Sequence, residues 1–124
     1  MHRILAALFS FWVAIAGTAT FARAAELVMV EQHGCHWCQQ WDAEISHIYP
    51  KTQESRRAPL RRVQLHDLPA DIAFSSPPVF TPTFVLVDAG RELGRMEGYA
   101  GADFFWPMLL RLLDTHPDAT VPQS

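Results

Sequence analysis

The stretch Leu27 to Trp41, L-V-M-V-E-Q-H-G-C-H-W-C-Q-Q-W, holds the only 2 cysteines of a 124-residue chain, directly after a run of apolar residues. Leu27 to Val30 is too short for a helix, apolar throughout and bounded by His33-Gly34, which predicts a strand buried on both faces. After the cysteines, Trp41, Ile45 and Ile48 recur at i, i+4 and i+7, one stripe of a helix that Pro50 ends. Cys35 therefore stands where a buried strand gives way to a helix. Amide N–H groups without intrahelical partners and the positive end of the helix dipole lie next to its sulfur and favour the thiolate. A free cysteine of pKa about 8.5 is only about 3% thiolate at pH 7. Lowering that pKa to about 7 raises the fraction to half for roughly 2 kcal/mol, within reach of a helix terminus plus one imidazolium. Cys38, nearly one turn further in and on the same face, is placed to attack a mixed disulfide on Cys35 and close a short ring. In a βαβ context this spacing is that of a redox pair.

Beyond the helix, a polar stretch from Lys51 to Pro59 leads into Leu60-Arg-Arg-Val63-Gln-Leu65, whose alternation marks a strand with one solvated face. The segment His66 to Pro82 carries Pro69, Pro77, Pro78 and Pro82, and has room only for a short helix around Ala70 to Phe74. Phe84-Val85-Leu86-Val87 is a second apolar strand, Asp88-Ala89-Gly90-Arg91 a hairpin turn and Glu92 to Glu97 a half-polar strand. Asp103 can cap a last helix in which Phe105, Leu109, Leu112 and Leu113 face the core and Pro107 falls in the first turn; His116-Pro117 ends it. Apolar first and third strands and half-polar second and fourth strands predict an α/β domain. Its four-stranded sheet has the first and third strands in the centre and helices on both faces.

Towards the N-terminus, His2 and Arg3, the apolar run Ile4 to Ala16 and the small-residue site Ala22-Arg23-Ala24 read as a secretory signal peptide cut after Ala24. The alternative, a retained anchor, has an apolar run well short of the roughly 20 residues that span a bilayer. One domain, residues 25–124, remains. Losing Arg3 and Arg23 lowers Lys+Arg from 10 to 8 against 13 acids, a net charge of −5. Arg56-Arg57 and Arg61-Arg62 read as a solvated edge, and nucleic acid is not an expected partner. A chain of this length buries a core without staples, so two cysteines are no disulfide framework. Export places them in an oxidising compartment, where their redox state is a functional variable.

Leu27 to Trp41 resembles the active-site strand and helix of the thioredoxin-like superfamily, and Phe80-Thr81-Pro82-Thr83-Phe84-Val85 resembles its cis-proline segment at the start of the third core strand. The resemblance runs over Glu26 to Asp114. The short crossover and the run E-G-Y-x-G-x-D-F-F-W, Glu97 to Trp106, are similar to the small periplasmic thioredoxins of bacterial sulfur-oxidation systems, the SoxS-like proteins. The resemblance implies a thioredoxin-like mixed sheet of order 2-1-3-4 and a thiol-disulfide oxidoreductase without cofactor or metal. Cys35 would be the nucleophile and Cys38 the resolving thiol. Pro82 would be a cis-proline against the disulfide, with the Thr81 backbone pairing to an extended substrate and Gly98 letting that substrate approach. The implied partners are a protein disulfide or thiol and a membrane thiol-electron transporter as reductant; the protein would be a periplasmic monomer. The SoxS-like resemblance points to a reductant that keeps a partner's cysteine usable during thiosulfate oxidation, with an oxidant of secreted protein thiols as the opposite direction.

Thioredoxins proper usually carry a buried acid six positions before the first cysteine, where this chain has Met29. Glu31, the nearest acid, falls on the same side of the strand. It is either the acceptor of the Cys38 proton or a solvated carboxylate at a strand end. His36 either stabilises the Cys35 thiolate when protonated or points to water. Trp37 is a flat contact for substrate or a shield over the bridge. Trp41 and Phe105 belong to the core by their stripe positions, and Gly98 can also be a plain strand-end glycine. The rival reading is an exported copper or zinc carrier using His33, Cys35, His36 and Cys38, but a helix starting near Cys35 spreads these to different faces and no second cysteine pair completes a tetrahedral set. Gln39 excludes a haem-attachment C-x-x-C-H motif. A purely structural bridge gains little from closing so small a loop.

Overall fold

The first strand, β1 (Glu26–Glu31), alternates between two apolar clusters: Leu27 and Met29 enter one, Val28 and Val30 the other. The strand β3 (Thr83–Asp88) repeats the pattern, with Phe84 and Leu86 on the first side and Val85 and Val87 on the second. Burial on both faces requires both strands to be central, and the sheet order is β2-β1-β3-β4, as expected, with β2 (Leu60–Gln64) and β4 (Arg91–Glu97) at the edges. β1 runs parallel to β2, pairing Met29 with Arg62 and Glu31 with Gln64, and antiparallel to β3. β3 and β4 form a hairpin whose two turn residues, Ala89 (φ 51°) and Gly90 (φ 76°), both lie in the left-handed region. These coordinates are a computed structural model in which Gly17 and residues 25–119 are described. The signal-peptide reading of residues 1–24 and the cleavage after Ala24 lie outside the described residues.

Large side chains line the first face because helices pack there. The helix α1 (His36–Trp41) follows Cys35 and runs on as a π-helical segment, Asp42–Ser46. The expected stripe Trp41, Ile45, Ile48 is corrected at its last position. The i→i+5 bonding widens the turn, so residues four apart stay aligned and Tyr49 takes the inward place. Tyr49 is 1% exposed and donates its hydroxyl to the Ala58 carbonyl at 2.5 Å, whereas Ile48 is 42% exposed. A short 3₁₀ turn (Tyr49–Lys51) follows, and a second helix, α2 (Gln53–Arg57), forms within the polar stretch Lys51 to Pro59. The Thr52 hydroxyl caps α2 by accepting from the Ser55 amide at 3.1 Å.

The last helix, α3 (Ala102–Thr115), buries Phe105, Leu109 and Leu113, with Leu112 partly buried beside them. Two expectations about it are corrected. Gly101, not Asp103, is the N-cap, because φ of 99° there suits glycine, and Asp103 falls in the first turn. Pro107 then lies in the second turn, where its missing N–H removes one rung of the helix ladder. Phe105 is the hub of the cluster, with its ring 5.1 Å from Phe84, 5.9 Å from Trp41 and 6.2 Å from Tyr99.

The second face is covered differently. No helix forms around Ala70 to Phe74. Ala73 instead sits as a single bridge against Arg91, its N–H donating to the Gly90 carbonyl at 2.7 Å and its carbonyl accepting from Glu92 at 3.1 Å. That contact requires extended backbone at Ala73, which a helix over the same residues would not allow. Ile72 packs on Val28, Val30, Val63, Val85 and Val87, with Leu65, Leu68 and Phe74 around it. Small β-branched residues suffice beneath a chain segment, where the other face needs rings to reach the helices. Three of the four arginines read as a solvated edge form ion pairs: Arg57 with Asp114 at 2.8 Å, Arg61 with Asp71 at 2.9 Å and Arg62 with Asp42 at 2.6 Å. Among the described residues no helix is long and apolar enough to cross a membrane.

Candidate active site

The end of β1 delivers the chain into a short loop, Gln32 to Gly34, and then into Cys35, which is the N-cap residue of α1. Its backbone is extended (φ −82°, ψ 103°) while its sulfur accepts from the Cys38 amide at 3.1 Å. A sulfur in the place of a capping oxygen draws the helix-terminal N–H groups towards itself, and these groups stabilise negative charge there. Cys35 and Cys38 are bonded to each other, with S–S of 2.13 Å and Cα–Cα of 5.2 Å. Both are largely covered, at 8% and 5% exposed. The two sulfurs that the metal reading needed as ligands are thus joined covalently. Among the described residues no cluster of three or more His, Cys, Asp and Glu side chains is arranged to hold a metal ion. His33 instead borders an open cavity with Gln32, Gln64, His66 and Asp67.

Two hydrogen bonds draw the other predicted site residues towards this loop. Gln32 donates its side-chain amide to the Thr81 hydroxyl at 2.8 Å, tying the cysteine loop to the segment before β3. The Thr81–Pro82 peptide is cis, and the Pro82 carbonyl accepts from the Gly98 amide at 2.7 Å. Gly98 has φ of 84°, so a side chain there would be strained. The Cys35 loop, Thr81, Pro82 and Gly98 are therefore linked in one continuous strip. Thr83 steadies the turn by donating its hydroxyl to the Phe80 carbonyl at 2.7 Å.

Trp37 is 51% exposed and meets His36 edge-on, with ring centroids 5.0 Å apart. His36 itself faces solvent. Val79 and Phe80, just before Thr81, are 70% and 60% exposed. Apolar side chains this exposed mark a contact surface when they gather at one place, and the sequence pattern assigned no site role to Val79 or Phe80.

Glu31 does lie on the Met29 side, as strand alternation required. Its carboxylate accepts from Arg62 at 2.7 Å, and the same guanidinium reaches Asp42 at 2.6 Å and the Met29 sulfur at 3.8 Å. The hydrogen bond to Asp42, followed by that to Glu31, holds the Arg62 pKa above its ordinary value. Arg62 also stands 5.6 Å over the Trp41 ring. The sequence reading missed this residue. Its partners come from β1 and from the π-helical segment, so local pattern carries no sign of them.

A second polar group joins α1 and the π-helical segment to the connection after β4. Tyr99, next to Gly98, donates its hydroxyl to Glu44 at 2.6 Å, and Gln40 donates its side-chain amide to the other oxygen of Glu44 at 2.7 Å. The hydrogen bonds from Tyr99 and then Gln40 hold the Glu44 carboxyl below its ordinary pKa. Burial, and then the Glu44 contact, push the Tyr99 phenol upward.

No protein-family model and no curated relative matches the chain. Among solved structures, the periplasmic thioredoxin SoxS from Paracoccus pantotrophus, in its reduced form, is similar at 53% identity and a TM-score of 0.71, over 73% of this chain and 96% of that one. Identity of that order over nearly the whole of the other protein, together with the Cys35–Cys38 disulfide at the strand-to-helix junction of this chain, establishes kinship and chemistry together. The chain belongs to the thioredoxin superfamily alongside SoxS, and it is a thiol-disulfide oxidoreductase.

Proposed function

We propose that the protein is exported and works in the periplasm as a reductant that keeps a partner protein's cysteine in the thiol form, in the manner of SoxS-like proteins in thiosulfate oxidation. Electrons would come from a membrane thiol-electron transporter. The observation that carries this reading is the Cys35–Cys38 disulfide at the head of α1 in a chain 53% identical to a periplasmic thioredoxin.

In this reading the reduced protein attacks with the Cys35 thiolate on one sulfur of a substrate disulfide, and the other substrate sulfur leaves as a thiolate. Cys38, having lost its proton, then attacks the Cys35 sulfur of the mixed disulfide. The second substrate thiolate departs and the Cys35–Cys38 bond forms, so two electrons have passed from protein to substrate. Thr81 and Gly98 offer backbone to an extended substrate beside Pro82, a local strand addition, and Trp37 supplies a flat apolar contact. His36 and Glu31 tune the thiolates; Glu31 acts as proton acceptor for Cys38 only in so far as Arg62 leaves its second oxygen open.

Dithiol-dependent reduction of insulin tests the chemistry: Cys35→Ser abolishes turnover, and Cys38→Ser accumulates a mixed disulfide that also identifies the partner. Direction is tested by the reduction potential against glutathione and by the redox state in the periplasm. A potential well above that of glutathione, with the protein oxidised in cells, would assign it instead to the oxidation of secreted thiols.

A further inference from the structure

We propose that Tyr99 and Glu44 are positioning residues for the substrate-binding edge, forming a side-chain clamp that fixes the Pro82–Gly98 strip relative to the helix carrying Cys35 and Cys38. The inference rests on the oxidoreductase reading of the same site and adds to it two residues that touch neither sulfur nor substrate.

The clamp is built from three elements. Gln40 lies on α1, two residues beyond Cys38, and Glu44 lies in the π-helical segment that continues it. Tyr99 belongs to the connection between β4 and α3, and its ring is buried at 7% exposure, edge-on to Phe105. A buried phenol needs an acceptor, and a neutral carbonyl would satisfy it. Here the acceptor is a carboxylate, which makes the bond charge-assisted, and Gln40 holds its second oxygen so that the group cannot swing away. The neighbouring residue Gly98 donates to Pro82 at 2.7 Å. An anchor on Tyr99 therefore sets where the Gly98 peptide stands with respect to the disulfide. A substrate strand must meet the sulfur and this edge at the same time, so a small displacement of the edge costs binding without touching the sulfur chemistry.

The test compares wild type, Tyr99→Phe and Glu44→Gln on two substrates, insulin and a small aryl disulfide, alongside amide hydrogen exchange at Gly98. Tyr99→Phe keeps the ring and loses the bond; we expect the KM for insulin to rise about fivefold to tenfold with kcat held, from the loss of one charge-assisted bond. The small disulfide, which needs no strand pairing, reacts at the wild-type rate, and the Gly98 amide exchanges faster. Glu44→Gln retains an acceptor oxygen for the Tyr99 hydroxyl and keeps the KM within about twofold of wild type. An unchanged KM for insulin with Tyr99→Phe, or an equal loss on both substrates, overturns the clamp. If wild type reduces neither disulfide, the oxidoreductase reading fails on its own, while exchange at Gly98 still decides whether Tyr99 fixes the edge.

Discussion

Replacing Gly98 by alanine separates the two duties of that residue, holding an unusual backbone and leaving room for substrate. Gly98 has φ of 84° and a Cβ built there meets nothing within 4 Å, so the substitution strains the backbone without a clash. An L-residue in that region costs roughly 1–2 kcal/mol, part of which the stiffer unfolded chain returns, leaving a loss of about 1 kcal/mol. For a domain of this size that lowers Tm by about 4–8 °C. Gly101 is the matched control: φ is 99°, the space is equally open, and it begins α3 without bonding to Pro82. Gly101→Ala is expected to lose similar stability. Only Gly98→Ala adds a methyl, in open space, to the residue whose amide bonds the Pro82 carbonyl, where an incoming substrate strand would meet it and lose one or two backbone hydrogen bonds, about tenfold in KM for insulin. Thermal unfolding and insulin-reduction kinetics on both variants give the answer. Equal rises in KM for the two, or no loss of stability for Gly98→Ala, would refute the reasoning.

Ala89→Asn creates an Asn-Gly turn where φ is 51° and 76° at the two positions, and is expected to raise stability by about 0.5–1 kcal/mol in urea denaturation. Phe105→Ala empties the centre of the aromatic cluster; a loss of about 3–5 kcal/mol, read from the denaturation midpoint, is expected, and a loss under 1 kcal/mol would show that the cluster collapses to fill the space. Arg62→Met keeps the stem over Trp41 but removes the pairs with Glu31 and Asp42, which are partly exposed; roughly 1 kcal/mol should be lost at low salt and less at 1 M NaCl. Burial, reinforced by the charge of Glu54, pushes the Tyr49 phenol above its ordinary value of 10.0. A folded pKa above the unfolded one gives stability that is complete below about pH 10 and lost as pH rises through the folded value, so Tyr49→Phe should flatten the alkaline limb of a stability–pH curve.

The central strands were readable because burial on both faces leaves a run such as Phe84-Val85-Leu86-Val87 with no polar alternation, and nothing else of that length does so between turn signals. The position of Cys35 followed from the end of one such run. The π-helical segment was not readable: Ile48 and Tyr49 are both apolar, and which of them turns inward is decided by the Ala58 carbonyl and the Trp106 ring, stacked 6.3 Å from Tyr49, contacts remote along the chain. The crossover misled for a related reason. Ala70 to Phe74 contains two alanines, good helix formers, but Ala73 finds hydrogen-bond partners on the edge of β4 that a helix would have denied it. In the site, residue types and spacing identified the sulfurs, while Gln32, Arg62 and the Tyr99–Glu44 pair became visible only when distant segments met.

The seating of Ala73 on β4 has a bearing on how the molecule keeps to itself. An outermost strand offers open amides and carbonyls on which a stranger's strand can grow, the usual start of sheet-to-sheet polymerisation. Here the carbonyl of Gly90 and the amide of Glu92 are already occupied by Ala73, and Arg95 reaches across to the Ser76 carbonyl at 2.6 Å. The crossover thus works as a stopper at one end of the rim, and an exchange of strands between neighbouring molecules would first have to pull it out.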